Sequence, residues 1–156
     1  LKKTINLSEP VYGSYSVAAA AVAAHETGHA LQHAKGYGPL KMRSALVPIV
    51  SSTSKWVMWV ILAGILMLQT FPGLLWIGIA MFSLTTLFSF ITLPVEKNAT
   101  NRALRWLSSA GITDVSNHSQ AEDALRWAGY TYVVAALSSL ATLLYYVMIA
   151  MSGSRR

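Results

Sequence analysis

The segment His25-Glu26-Thr27-Gly28-His29 places two imidazoles and a carboxylate within five residues. Residues four apart on an α-helix are rotated by only about 40° from one another, so His25 and His29 would project from one face, a turn apart. Two imidazoles so placed can grip one zinc ion and leave room for a water that the metal makes acidic near neutral pH. Glu26, beside the first histidine, is placed to take a proton from that water and return it to a leaving amine. The spacing therefore predicts zinc-assisted hydrolysis, with His25 and His29 as ligands and Glu26 as catalytic base. A five-residue pattern arises by chance in many proteins, so its surroundings matter. Here the three polar side chains interrupt an Ala-rich apolar stretch, where unpartnered polar groups cost several kcal/mol and a metal supplies the partner. Gly28 costs roughly 1 kcal/mol relative to Ala inside a helix, which implies a close approach of backbone or substrate at that point.

A catalytic zinc needs a third protein ligand and an open position. With no cysteine, six acidic residues and two further histidines, the candidates are few. Glu96 follows a pair of apolar crossings, and two crossings bring the chain back to the face it left. A carboxylate beside hydrocarbon is costly unless neutralised, so Glu96 is expected to be the third ligand. The alternative is an interfacial charge paired with Arg102. His33 continues the four-residue series, but three consecutive turns cannot all address one ion tetrahedrally, so it is expected to hydrogen-bond beside the site. His118 is expected to be a solvated loop residue, and Trp56, Trp59, Trp127, Tyr130 and Tyr132 interfacial anchors.

The elements that must position these residues are membrane elements. Of 156 residues, 54% are hydrophobic and 12% charged, which is too apolar for an ordinary soluble domain. No charged residue occurs over the 40 residues from Trp56 to Val95, nor from Trp127 to Ser154. A bilayer core takes about 20 apolar helical residues per crossing, so these runs fit two crossings and one. The net charge of +6 comes without any basic run beyond pairs, which favours a positive membrane face over nucleic acid. The expected fold is all-α and membrane-embedded: an active-site helix, three transmembrane helices, and a short edge strand over residues 1–9.

Ser16 is expected to cap a helix from Val17 to Lys35 that Gly36 closes, its first half buried all round. A second helix begins at Pro39 and is bent by Pro48 ahead of Ser51-Ser52-Thr53-Ser54. Crossings follow at about Lys55 to Leu68 and Leu74 to Leu93, joined by a hairpin at 69–73, with Pro94 as the exit. An amphipathic helix from 95 to 110 ends at Gly111. Ser119-Gln120-Ala121-Glu122 reads as a capping box opening a helix that continues into the third crossing, about 131–151. The whole is one domain: an active-site helix region (1–45), a transmembrane hairpin (55–93), a ligand-bearing segment (94–129) and a third transmembrane helix (130–152). The chain opens on Leu1 without a cleavable signal and is read as a fragment or processed form.

Three crossings put residues 1–55 and 94–129 on one side of the bilayer, with 69–73 and the C-terminal tail on the other. Ten of the twelve basic residues then share the first side and only Arg155 and Arg156 lie opposite, so that side, with the zinc site, is expected to be cytoplasmic.

These residues resemble a known family, the small bacterial membrane zinc metallopeptidases of the YugP type. The likeness spans nearly the whole chain and rests on Leu7-Ser8-Glu9-Pro10-Val11-Tyr12-Gly13-Ser14, on the run from His25 to Tyr37, on Pro39 to Pro48, and on Leu93-Pro94-Val95-Glu96-Lys97-Asn98-Ala99-Thr100-Asn101-Arg102-Ala103-Leu104. The resemblance implies His25, His29 and Glu96 as zinc ligands and Glu26 as base. Such proteins usually carry a further N-terminal membrane helix before the matched region, and an apolar or aromatic residue where Lys97 stands. The HtpX-type and prenyl-protein-protease group is similar in its downstream Glu ligand but usually has Asp four residues later, where this chain has Thr100.

The expected function is that of a membrane-bound zinc endopeptidase acting on protein or peptide segments at the membrane surface, with the lipid bilayer as its other partner and no nucleic acid. Two other classes compete. A catalytically silent zinc scaffold would need no base, yet Glu26 is present. A metal carrier would place charged or His residues inside the crossings, and there are none.

Overall fold

The computed structural model describes residues 4–153, and these are helical apart from short connections. The elements are α1 (Glu9–Tyr12), α2 (Val17–Ala34), α3 (Gly38–Ser54), α4 (Val57–Leu66), α5 (Gly73–Ser109) and α6 (His118–Gly153). The chain divides into two compact units, Leu1–Lys41 with Leu93–Tyr132, and Met42–Thr92 with Val133–Arg156.

The first unit is built on small residues. Ser16 caps α2, its Oγ accepting from the Ala19 N–H at 3.2 Å, and Gly36 leaves the helix with φ 63°. Ala21, Ala24, Gly28 and Gln32 are buried along one stripe of α2, at intervals of three and four residues. The all-round burial expected for its first half is replaced by burial of one face, since Ala18 is exposed. Ala21 and Ala24 pack with Ala103, Leu107, Ala121 and Leu125 from α5 and α6. Side chains this short let helix backbones approach closely. The closest approach is at Gly28, where a Cβ would lie 2.7 Å from the Ala99 carbonyl oxygen and 3.1 Å from its Cα.

The second unit is conventionally apolar. Val57, Ile61, Leu75, Ile79 and Ala150 form its core. Gly64 lets α4 lie on α5, because a Cβ there would sit 2.6 Å from the Leu75 Cα. Among the described residues two helices, α5 and α6, are long and apolar enough to cross a membrane, each with a stretch of mean hydropathy 2.0, and there are up to three spans if α3 and α4, bent by 48°, count as one. Only 22% and 11% of those two stretches is buried within the protein, which leaves apolar surface suited to lipid.

Several elements differ from the sequence expectation. No strand occurs among the described residues: 4–8 have no regular structure and Glu9 opens a helical turn with Pro10 in its first positions, while residues 1–3 lie outside the described part. A lone edge strand has no ladder to join, whereas proline fits a helix start. The helix α3 continues through Pro48 to Ser54, with the hydroxyls of Ser51, Ser52 and Thr53 donating to the carbonyls four residues back at 2.6, 2.9 and 3.0 Å. The first crossing is therefore not a separate helix from 55: α4 has 10 residues, about 15 Å of rise.

Pro94 likewise lies inside α5 instead of ending it. An interior proline costs about 3 kcal/mol, which the packing of Val95, Ala99, Ala103 and Leu107 offsets, all four being 1% exposed or less along one face. The helix α6 starts at His118 from an Asp114 turn, not from a Ser119 capping box: Asp114 Oδ1 accepts from the N–H groups of Ser116 and Asn117 at 2.8 and 3.2 Å.

Candidate metal centre

Helical spacing on α2 brings the His25 and His29 rings together edge to face, with centroids 4.7 Å apart. Glu96 reaches them from α5, whose backbone is drawn against α2 at Gly28 and Ala99. Its Oε2 lies 3.1 Å from His25 Nε2 and 3.4 Å from His29 Nε2, although the two histidines and the glutamate stand about seventy positions apart in sequence. One ligand atom from each of the three lies within 4.8 Å of the others, and Glu96 is only 4% exposed. Hydrogen bonding to Glu96 raises the His29 pKa above its ordinary value; burial opposes this and Gln32 reinforces it.

This donor set fits zinc. Two imidazole nitrogens and one carboxylate oxygen are the ligand types of hydrolytic zinc sites, and a buried carboxylate facing two imidazoles is a cluster that a divalent cation neutralises. The three open on a cavity of about 190 Å³ that Glu26 and Tyr132 also line, so a fourth direction is left for another molecule.

Over residues 1–151 the sequence matches the family described as "Putative neutral zinc metallopeptidase". The chain belongs to that family. It is also 41% identical over 152 residues to the Bacillus subtilis (strain 168) protein described as "Putative membrane protease YugP", an alignment covering 97% of this chain and 67% of that protein. No solved structure matches the chain.

In this member of the zinc metallopeptidase family, each histidine of the cluster is held through its far ring nitrogen. His25 Nδ1 lies 3.2 Å from Thr100 Oγ1, and His29 Nδ1 lies 3.0 Å from Gln32 Oε1. Gln32 is fully buried, and its Nε2 donates to the Val95 carbonyl at 2.8 Å and to Asn98 Oδ1 at 3.1 Å. Arg102 Nε donates to the same Asn98 oxygen at 2.8 Å. Sequence reasoning passed over Gln32 and Asn98. A signal was present, since Gln32 sits on the stripe of Ala21, Ala24 and Gly28, where a polar side chain needs a partner.

Glu96, set against the alternative of a surface pair with Arg102, is buried and faces the histidines. His33 is exposed and outside the cluster. His118 is no solvated loop residue: it opens α6, its Nδ1 2.8 Å from Thr113 Oγ1. Trp56, Trp59, Trp127, Tyr130 and Tyr132 are exposed, as anchors would be, and Tyr132 also lines the cavity beside the His25, His29 and Glu96 cluster. Lys97, where an apolar residue was expected, is exposed and leaves the packing of Val95 and Ala99 intact.

Proposed function

We propose that this chain is a membrane-bound zinc endopeptidase in which His25, His29 and Glu96 hold the metal and Glu26 is the catalytic base. The observation that supports it best is the convergence of three ligand atoms within 4.8 Å on a cavity lined by Glu26. When bound, zinc would supply the Lewis acidity that polarises a peptide carbonyl and acidifies water. Glu26, an exposed residue on the cavity wall, accepts the proton of the attacking water and delivers it to the leaving nitrogen. Val22, Leu125 and Ala128 give the cavity an apolar wall that restricts solvent around the reacting bond. The substrate class is protein or peptide segments at the membrane surface. Ten basic residues against two, on the three-crossing topology, support a cytoplasmic site at the cell membrane.

The test combines metal analysis with hydrolysis of an unfolded casein by the purified chain in detergent. Glu26→Gln should keep its zinc and lose about 10²- to 10⁴-fold in turnover, since an amide preserves shape but accepts no proton. Near-normal turnover in that variant would remove Glu26 from the mechanism. For topology, Ser116→Cys should be protected from an impermeant thiol reagent in intact cells and Thr70→Cys should react; the reverse pattern would place the site outside.

A further inference from the structure

The hydrogen bonds around Gln32 fix the position of a proton on His29. Arg102 Nε can only donate, so the Asn98 atom 2.8 Å from it is the amide oxygen. That oxygen and the Val95 carbonyl, both acceptors, lie 3.1 and 2.8 Å from one end of the Gln32 amide, which must therefore be the NH2 end. The other end is the carbonyl oxygen, 3.0 Å from His29 Nδ1, and an oxygen acceptor requires that Nδ1 carry hydrogen. The Nε2 lone pair then remains for the side of the ring that faces Glu96. His25 has no comparable constraint, because the Thr100 hydroxyl at its Nδ1 can donate or accept.

We propose that Gln32, oriented by Asn98 and Arg102, is the positioning residue that sets the His29 tautomer for zinc. The proposal rests on the zinc reading given above. Gln32 touches neither substrate nor the reacting atoms; it acts through His29. The arrangement spans one turn of α2 and two of α5, and each of its links is 2.8 to 3.1 Å long, within hydrogen-bond range. A ligand histidine whose outer N–H is held in place is a stronger and better aimed donor, and losing such a partner typically costs 10- to 100-fold in metal affinity.

The experiment measures zinc affinity of the full chain in detergent by chelator competition, without any peptide substrate. Gln32→Met, which preserves length and removes the acceptor, should weaken zinc binding about 10- to 100-fold. Asn98→Leu, which removes one of the two acceptors that hold the Gln32 amide the right way round and leaves the Val95 carbonyl, should weaken it by less, and the double variant should lose less than the product of the two, as coupled residues do. Leu107→Ala serves as the control for general loosening: that side chain is fully buried in the same unit but outside the relay, and its variant should melt earlier yet hold zinc within about threefold of wild type.

Nitrogen-15 NMR of the zinc-loaded wild type should show His29 with a protonated, slowly exchanging Nδ1, and that proton should exchange faster in Gln32→Met. Unchanged affinity in both Gln32→Met and Asn98→Leu, or an unprotonated Nδ1 in the wild type, would overturn the relay while leaving the zinc site standing. A wild-type chain that takes up no zinc would overturn both. Should Gln32→Met fail to fold, Asn98→Leu and the wild-type spectrum carry the decision.

Discussion

The two compact units bury polar groups in different ways. In the unit of Met42–Thr92 and Val133–Arg156, the buried polar side chains among the described residues are the hydroxyls of Thr86 and Thr92: each returns to a carbonyl of its own helix four residues back, at 3.4 and 2.8 Å, and Thr86 Oγ1 also lies 2.7 Å from Ser139 Oγ on α6. In the other unit, beside Thr113, the amide of Gln32 and the carboxylate of Glu96 are buried, and their partners across helices lie 63 to 71 positions away in sequence. A polar group satisfied within its own turn demands nothing of the tertiary structure. One satisfied across helices is met only in a single arrangement, and breaking it leaves the full desolvation penalty behind. A hydroxyl that also bonds within its own turn, as Thr86 and Thr92 do, is tolerated by a membrane helix; an amide and a carboxylate bonded across helices specify a site.

The sharpest way to break this contrast is Glu96→Ala beside Thr86→Val. The first should abolish measurable zinc binding and hydrolysis, because two imidazoles alone make a poor site; the second should leave metal content unchanged. Zinc retained in Glu96→Ala would show that the buried carboxylate is structural.

Next in size are the two glycine contacts. Gly28→Ala and Gly64→Ala both force a Cβ to within 3 Å of backbone atoms, on Ala99 and Leu75 respectively, so each should destabilise by about 1–3 kcal/mol in thermal or denaturant melts. They should part in their effect on metal, with Gly28→Ala losing zinc affinity and Gly64→Ala keeping it. Gly129→Ala, with no atom within 4 Å of the added carbon inside α6, is the comparison free of that clash and should stabilise by up to about 1 kcal/mol.

Smaller again is Thr100→Val, which removes the oxygen at His25 Nδ1 and should weaken zinc binding several-fold. The smallest effect is in the metal-free protein. Because the folded His29 pKa lies above its 6.5 reference, its contribution to stability is fully present below 6.5 and is lost as pH rises through the raised value. The melting temperature of metal-free protein should decline over that window, while zinc-loaded protein should not follow it. Parallel pH profiles would count against the His29–Glu96 pairing.

Much of the first unit was legible because its signals are local. The spacing of His25 and His29, the Ser16 cap and the Gly36 exit all act within a turn, and Glu96 could be singled out by the cost of a carboxylate beside an apolar run. Gln32 left only a partial signal, a polar residue on the stripe of Ala21, Ala24 and Gly28, and its partner Asn98, 66 positions away, left none in its own local sequence. Pro94, expected as the exit of the second crossing, misled for a related reason. A proline breaks an isolated helix, but a helix packed on both sides of it, as α5 is through Ile79 and Thr92 before Pro94 and Val95 and Ala99 after it, carries on.

The contact of Gly28 with Ala99 works as a fulcrum. His25 and His29 lie within a turn of it on α2, and Glu96 within a turn on α5, so each ligand's Cα stands about 5 Å or less along its helix axis from the pivot. If the crossing angle of the two helices drifts, atoms near the pivot move least and distant ones move most. The three side chains of the candidate metal centre are thereby insulated from the flexing that a lipid environment imposes on long helices. An inserted residue between Glu96 and Ala99 is a different matter, because it turns the carboxylate by about 100° relative to the pivot, and no rocking of the helices can bring it back.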